Sequence, residues 1–576
     1  PAPSVEVFLH AFLPHRFVLH THADNILALT NRREPEPLIH EVLGHDVCVV
    51  GYEKSGLPLA KKVAKAWENK SYADTGVVLN HGIFTFSDDA GAAFERMISH
   101  VKKAKAYLAK AGPHVFPADT AMPSDSMCAR VAQTIRGVCA HKSDNNGPGR
   151  FIVDVRRSPD MVAISLDRNA ARICESGVIT PDHAIRTKNR IAFLPAVPER
   201  DDDLRSTVDD VTTAYIDAYR KYTEKYSHGR DLSAMNDPTP RIFLIAGVGL
   251  MALGETRRAA VIGADIAEHT IRLKHLCGDE YEPISEQHVF DMEYWPFQLA
   301  KIKRKPPSPL KGQVALVTGA AGAIGFGIAD RLMAAGACVV VSDVDKAGLE
   351  HVSSILAERH SPEQVEPIMF DVTDYKQVER GFIEAGIRFG GVDIVVPNAG
   401  TAHVARIEEL DTSVFNRVIQ VNLIGTFNTI KASVPVFRRQ GTGGNIVVIS
   451  TKNVFDPGAA FGAYSASKAG AHQISKIAAI ELAELGVRTN MVNPDAVFGD
   501  DAVPSKLWEM IGPDRMKARG LDPDGLKEYY RRRNLLKESV LAEHVGNVVV
   551  FFASNLSPTT GASFPVDGGN PAAFPR

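Results

Sequence analysis

Apolar residues along this chain follow two rhythms: short unbroken runs, and longer stretches in which they return every three or four positions. After about residue 310 the two alternate regularly. Runs at 314–317, 338–342 and 562–566 read as buried strands, and amphipathic stretches between them, the last at 541–553, read as helices. That alternation predicts an α/β fold with a doubly wound parallel sheet. One helix opens at Tyr464-Ser465-Ala466-Ser467-Lys468, with Ala469, Ile474, Ile477, Ala478 and Leu482 recurring behind it. A charged helical insertion at 500–533 carries Trp508, Met510 and Tyr529, which either line a pocket or pack at the surface.

The first 300 residues are less regular. Ser4 reads as the N-cap of a helix whose buried face is Val5, Phe8, Leu9 and Phe12. Apolar strands follow at 17–24 and 77–82. A basic amphipathic helix is expected at 91–111, with its lysines solvated, and another helix at 126–140. Short strands are expected at 151–153 and 162–164, separated by a turn at Ser158-Pro159-Asp160. An acidic boundary at 199–203 precedes a long helix with Val208, Val211, Tyr215 and Tyr219 on one face. A buried strand at 241–247 runs into Gly247-Val248-Gly249, read as a close-packed turn, and helices follow near 254–275 and 286–303. The proline-rich stretch 305–310 is a short, stiff linker. These signals divide the chain into 1–200, an extension at 201–305, and 306–576.

Composition narrows the class. The 576 residues exceed one ordinary domain, and 45% hydrophobic with 23% charged content is that of a globular protein. A net charge of −3 argues against a general nucleic-acid binder. No apolar run reaches membrane-spanning length, and no signal peptide is visible. Six scattered cysteines without a CxxC fit a reducing compartment, so a cytoplasmic location is expected. The chain opens at Pro1 without Met, directly into a helix, and a preceding segment is expected.

Several residues then suggest chemistry. Tyr464 and Lys468, four apart on a helix, share a face, and an ammonium beside a phenol favours the phenolate. That is an acid/base for an alcohol/carbonyl pair; taken alone, the same spacing describes any solvated helix face. The strand at 314–317 runs into the turn Thr318 to Gly325, where Gly319, Ala321, Gly322, Ile324 and Gly325 would face a pyrophosphate. Asp343 ends the next strand, 18 residues past Gly325, where an acid binds a ribose diol and repels a 2′-phosphate, favouring NAD. Further polar points, Asp371-Val372, Asn398-Ala399-Gly400 and Ser450-Thr451, fall at later strand ends. In the first part, His20 and His22 lie on one side of a strand and His81 ends another. Three imidazoles with an open position make the usual catalytic zinc site. His183 is a further candidate, and Glu6 otherwise serves the helix dipole.

Two resemblances gather these points. The pattern PSxE, HTHAD and NHG over residues 1–115 resembles the class II aldolase/adducin family. The resemblance implies His20, His22 and His81 as zinc ligands and Glu6 as the carboxylate that moves the proton beside the carbonyl. Residues 310–570 resemble the short-chain dehydrogenase/reductase family, a Rossmann-type fold. This implies Tyr464 as acid/base, Lys468 on the nicotinamide ribose, Asn422 in the proton relay, Asp371 at the adenine and Asn398 in the cofactor wall. The family's serine lies 13 residues before the tyrosine; here that position is Thr451, with Ser450 adjacent, and either hydroxyl serves. Ala323 replaces the family's middle glycine. The whole resembles bifunctional enzymes of the rhamnulose-1-phosphate aldolase/lactaldehyde dehydrogenase type. That implies retro-aldol cleavage of a deoxyketose 1-phosphate, as in rhamnose catabolism, then NAD-linked oxidation of the aldehyde or of an alcohol. Small-molecule substrates, no nucleic-acid or membrane partner, and homo-oligomers are expected. A second reading keeps the dehydrogenase and makes the first half a non-catalytic, adducin-like binding module.

Overall fold

A computed structural model of the chain describes residues 6–110, 120–143, 149–229, 237–302 and 308–574. The expected cap at Ser4 and part of the linker lie outside them. The first helix, Phe8–Phe12, buries Leu9, and Leu13 just beyond it, while Phe8 and Phe12 face outward. The expected face is rotated, because Leu9 and Leu13 meet the core under the first sheet.

That sheet contains β1 (Phe17–Thr21), β2 (Val47–Val50), β3 (Thr75–Val78) and β4 (Gly82–Ser87), in the order β1-β4-β3-β2. The antiparallel β1/β4 register sets His20 opposite Phe84. Cores form on both faces: Ile26, Leu29, Ile39 and Ile83 on one, Leu9, Leu59, Phe84 and Phe86 on the other.

A second sheet holds β5 (Ile152–Arg156), β6 (Ala192–Leu194), β7 (Ile242–Ile245) and β8 (Gly249–Gly254), ordered β5-β8-β7-β6. The sequence division at 200 therefore cuts through one sheet. The long helix Asp201–Ser227 connects two of its strands, β6 and β7, rather than opening a new unit. The expected strand at 162–164 is the helix Pro159–Ser165. Ser158-Pro159-Asp160 starts that helix, with proline at the first position, where its missing N–H costs nothing.

The third sheet contains β9 (Val314–Thr318), β10 (Cys338–Ser342), β11 (Val365–Pro367), β12 (Ile394–Val396), β13 (Gly444–Ile449), β14 (Val487–Pro494) and β15 (Ser563–Val566). All its pairs are parallel, in the order β11-β10-β9-β12-β13-β14-β15. Period-2 alternation divides β9 between two cores, Ala315 and Val317 in one, Val314 and Leu316 in the other. The strand order reverses between β9 and β12, so a crevice opens at their C-terminal ends.

The second and third sheets are joined through the helix Asp125–Lys142, which packs on the helices Tyr375–Phe389 and Gly425–Gln440. At this junction Arg136 and Arg150 grip Asp393, at 2.5 and 2.9 Å. Asp393 Oδ2 also accepts from the Val314 amide at 2.8 Å. Burial opposes its charge, but the two guanidinium groups outweigh that and hold its carboxyl below the usual range. Asp393 precedes β12 and Val314 begins β9, so the joint lies at the end of the sheet opposite the crevice.

Candidate active sites

The first site is built on β1, β4 and the turn before β4. Glu6, His20, His22 and His81 bring one ligand atom each to within 4.8 Å of one another. Glu6 Oε1 lies 3.2 Å from His81 Nε2 and 3.7 Å from His20 Nε2. Ligand atoms at about 2.05 Å from a tetrahedral cation stand about 3.3 Å apart, so this is metal-like spacing. His20 Nδ1 meets the Ile83 carbonyl at 3.0 Å and its ring stacks on Phe84 at 3.9 Å, which turns Nε2 into the cluster. Gly82 is required here: a Cβ would stand 2.5 Å from the Thr21 carbonyl and 3.0 Å from the His20 ring. Burial pushes the imidazoles of His20 and His22 down to about 4, so both are neutral and ligand-ready near pH 7. Burial opposes the Glu6 charge too, but the His81 hydrogen bond and neighbouring imidazoles prevail and hold it at about 2. A half-buried carboxylate, the neutral imidazoles of His20 and His22, and the buried Nε2 of His20, which has no hydrogen bond, fit a divalent cation.

The second sheet's unit reaches this cluster. Asp182, on the short turn Pro181–His183, acts electrostatically on His20 and His22 and accepts a hydrogen bond from Gln298. His183 lies beside them with its Nδ1 buried and unpartnered, yet it is not among the four convergent donors. Tyr52 packs between His81 and His288, with centroids at 6.5 and 4.8 Å. No sequence pattern singled out Asp182 or Tyr52; only the packing of the two units brings them here.

The second site occupies the crevice of the third sheet, a cavity of about 900 Å³. Gly319, Gly322, Ile324, Gly325, Asp343, Asp371, Val372, Asn398, Ala399 and Gly400 line it, with Ser450, Thr451, Tyr464 and Lys468 at its far part. Ala321 does not: its amide is bound by Asp343 Oδ2 at 3.0 Å and its side chain is buried. A Cβ on Gly325 would strike the Gly319 carbonyl at 2.4 Å, whereas one on Gly322 meets nothing nearer than 3.7 Å. The fold therefore requires glycine at 325 but leaves open space at 322, a cradle a dinucleotide would fill. Asn398 Nδ2 donates to the Thr318 and Gly319 carbonyls at 2.9 and 3.0 Å, tying β12 to the glycine turn. Asp371 Oδ1 is held by Thr373 N and Oγ1 at 2.8 and 2.9 Å.

At the far part, the Thr451 hydroxyl lies close enough to the Tyr464 phenol to act on it. Ser450 points the other way, its Oγ 3.3 Å from His472 Nδ1, as alternation along extended backbone requires. Burial pushes the Tyr464 phenol up, and the Thr451 hydroxyl pulls it back. Burial lowers Lys468 to about 8; its Nζ donates to the Ile449 carbonyl at 2.8 Å. Asn422 sits in a π-turn, Gln420–Ile424, with Oδ1 accepting from Thr401 N at 2.8 Å and Nδ2 donating to Ser467 Oγ at 2.9 Å. Asn422 Oδ1 and Lys468 Nζ flank Gly400, at 3.4 and 3.5 Å from where its Cβ would stand. Over the cavity lie two helices, Lys506–Lys517 and Pro523–Arg533. Of the two readings left open for the insertion, Trp508 and Met510 take the pocket one, whereas Tyr529 faces outward and the buried Tyr530 lines the cavity one residue round the helix.

Residues 313–505 match the family described as short chain dehydrogenase. Residues 1–108 match the class II aldolase and adducin N-terminal domain, and residues 126–302 the aldolase class II second domain. The uncharacterized oxidoreductase YuxG of Bacillus subtilis (strain 168) is 28% identical over 100% of this chain and 84% of its own length. YxjF, an uncharacterized oxidoreductase of the same strain, is 34% identical over 45% of this chain and 98% of its own. Galactitol 2-dehydrogenase of Agrobacterium fabrum (strain C58) is 29% identical over 45% of this chain and 98% of its own. Among the described residues, no helix is long and apolar enough to cross a membrane.

Proposed function

The chain belongs to the short-chain dehydrogenase family through its C-terminal domain and carries class II aldolase domains ahead of it, and on that premise we propose a bifunctional enzyme. The first activity is retro-aldol cleavage of a ketose 1-phosphate of the rhamnulose 1-phosphate kind, with a zinc-type divalent ion. The second is NAD-dependent oxidation of the resulting hydroxyaldehyde, lactaldehyde, or of a related alcohol. The observation that carries the proposal is the co-occurrence of two assembled constellations in one chain: the four convergent donors around Glu6, and Thr451, Tyr464 and Lys468 beside an empty-walled glycine turn.

In the aldolase half, His20, His22 and His81 would hold the ion, which supplies Lewis-acid stabilisation of negative charge next to a carbonyl. Glu6 stands at ligand distance from the same point, so it moves aside as substrate enters and then takes and returns the proton at the neighbouring oxygen or carbon. Its low proton affinity in the closed cluster suits a ligand; leaving the cluster raises it toward that of a base.

In the dehydrogenase half, the bound dinucleotide supplies the hydride acceptor. Asp343 favours the unphosphorylated ribose and so NAD. Tyr464 takes the hydroxyl proton, Thr451 orients the substrate oxygen, and Lys468 holds the phenolate form and the nicotinamide ribose. Asn422 keeps the π-turn open beside Gly400 for the proton's exit. An aldehyde reaches this chemistry as its hydrate, which presents an alcohol. The relative that carries the name galactitol 2-dehydrogenase supports polyol-like alcohols for this half.

Metal analysis tests the first half. The purified full chain is expected to carry a divalent ion that His81→Ala removes together with aldol cleavage. Metal-free protein with an unaltered His81→Ala variant would make the first half a binding module.

A further inference from the structure

The positive groups on the dehydrogenase cavity are not alike. Lys452 faces Asp456 at 2.8 Å, Lys506 faces Asp345 at 2.5 Å and Arg533 faces Asp495 at 2.5 Å. Arg417, Arg519 and Arg515 line the same cavity and form no ion pair with a carboxylate among the described residues, and of the three it is Arg515 that has a buried donor. Its Nε is buried without a hydrogen bond, and among the described residues its side chain makes one bond, a long one from Nη2 to the Tyr530 hydroxyl at 3.3 Å. A guanidinium carries five donors in a rigid fork, and leaving them unmet in a partly buried place is costly.

The position of Arg515 separates it from the dinucleotide. Its helix, Lys506–Lys517, begins where Lys506 pairs with Asp345, two residues past the ribose-binding Asp343. Nine residues along a helix is about 13 Å, which carries Arg515 to the tyrosine end of the cavity. There its guanidinium lies 4.7 Å from the Phe461 ring centre, and the Phe461 and Tyr464 rings are 6.0 Å apart. The aromatic face holds the charge in place without neutralising it. Arg515 thus shares Phe461 as a neighbour with the acid/base tyrosine, where the part of a substrate remote from its reacting carbon would lie.

We propose that the dehydrogenase half, besides the uncharged lactaldehyde, acts on a hydroxy compound bearing an anionic group, a phosphate or a carboxylate, a few bonds from the reacting carbon, and that Arg515 binds that group. The inference rests on the dehydrogenase reading of this cavity and adds a charged alcohol to its substrate class. The substrate's carbinol C–H leaves as hydride to the oxidised nicotinamide dinucleotide, its hydroxyl proton passes to Tyr464, and a carbonyl forms; the anion takes no part in the bond changes. Its binding to a fork of donors orients the chain for that transfer.

The test uses the full chain saturated with NADH, so that the pyrophosphate site is filled. Inorganic phosphate and acetate are titrated in, followed by NADH fluorescence. Saturable binding is expected, weakened tenfold or more in Arg515→Gln and partly restored in Arg515→Lys. No binding, or equal binding by Arg515→Gln, overturns the proposal. Oxidation by NAD is then compared within two pairs, glycerol 3-phosphate against glycerol and 3-hydroxybutyrate against butane-1,3-diol. Preference for a charged member, with KM raised tenfold and kcat nearly unchanged in Arg515→Gln, supports the proposal and tells phosphate from carboxylate. Equal losses on charged and neutral members would make Arg515 a packing residue and overturn it. Arg515-dependent anion binding without NAD reduction by any alcohol supports the anion pocket and counts against the dehydrogenase reading alone.

Discussion

Burial and a neighbouring hydroxyl pull Tyr464 in opposite directions: burial keeps the phenol protonated, while the Thr451 hydroxyl stabilises the phenolate. Thr451→Val is therefore expected to lower kcat for alcohol oxidation by about 10²–10⁴-fold and to move the acid-side, ascending limb of the pH–rate profile to higher pH. Ser450→Ala, whose hydroxyl faces His472, is expected to keep nearly the full rate. Steady-state kinetics over pH decides between them; a slow Ser450→Ala with a normal Thr451→Val would reverse the assignment. Counting back from the tyrosine reached Thr451, but both hydroxyls stayed open in the sequence because strand alternation matters only once the register is known. His472 offers a separate check. Burial pushes its imidazole from 6.5 down to about 4, so the folded state holds fewer protons in that window. Its contribution to stability is present above about pH 6.5 and is lost as pH falls toward the folded value. His472→Gln is expected to flatten that part of the curve of unfolding free energy against pH, by at most about 3 kcal/mol. An unchanged acid limb would show that His472 is not the titrating group.

Among elements, the glycine turn separates what folding needs from what binding needs. Gly325→Ala meets the Gly319 carbonyl and is expected to lower Tm sharply, whereas Gly322→Ala has room and should leave Tm unchanged. NAD binding followed by calorimetry is expected to weaken tenfold or more in Gly322→Ala; undiminished binding would show that the dinucleotide does not approach that backbone. The turn, the strands that flank it and the histidine-bearing β1 were legible because each joins an unbroken apolar run to residues with one chemistry. The helix Pro159–Ser165 was not, since Ser-Pro-Asp starts a helix as readily as it makes a turn. The first helix hid its face for a similar reason: with Phe8, Leu9 and Phe12 all apolar, periodicity cannot tell which ones the neighbouring core accepts.

In the whole molecule, the aldolase domains and the dehydrogenase are fastened through Asp393. Its carboxylate meets two arginines from the far side of the junction and an amide of β9. Asp393→Ala leaves the buried Arg136 and the half-buried Arg150 without their counter-charge and is expected to cost about 3–5 kcal/mol, read as a fall in the denaturation midpoint. A loss within about 0.5 kcal/mol would mean that the junction is held by its apolar contacts alone. Sequence could not reveal this joint, because Arg136 and Asp393 are 257 positions apart and neither lies in a motif. The same blindness placed a boundary at 200, inside the second sheet, and read Asp182 only as part of a turn, not as a neighbour of the metal-type cluster.

The central claim, two activities in sequence on one chain, is tested most directly by one assay. The full chain with a divalent ion, a ketose 1-phosphate of the rhamnulose 1-phosphate kind and NAD is followed for dihydroxyacetone phosphate and NADH together. The account predicts that both appear, that His81→Ala abolishes both, and that Tyr464→Phe abolishes NADH while dihydroxyacetone phosphate still forms. Dihydroxyacetone phosphate that never appears across a panel of ketose 1-phosphates, while alcohols still reduce NAD, would contradict it.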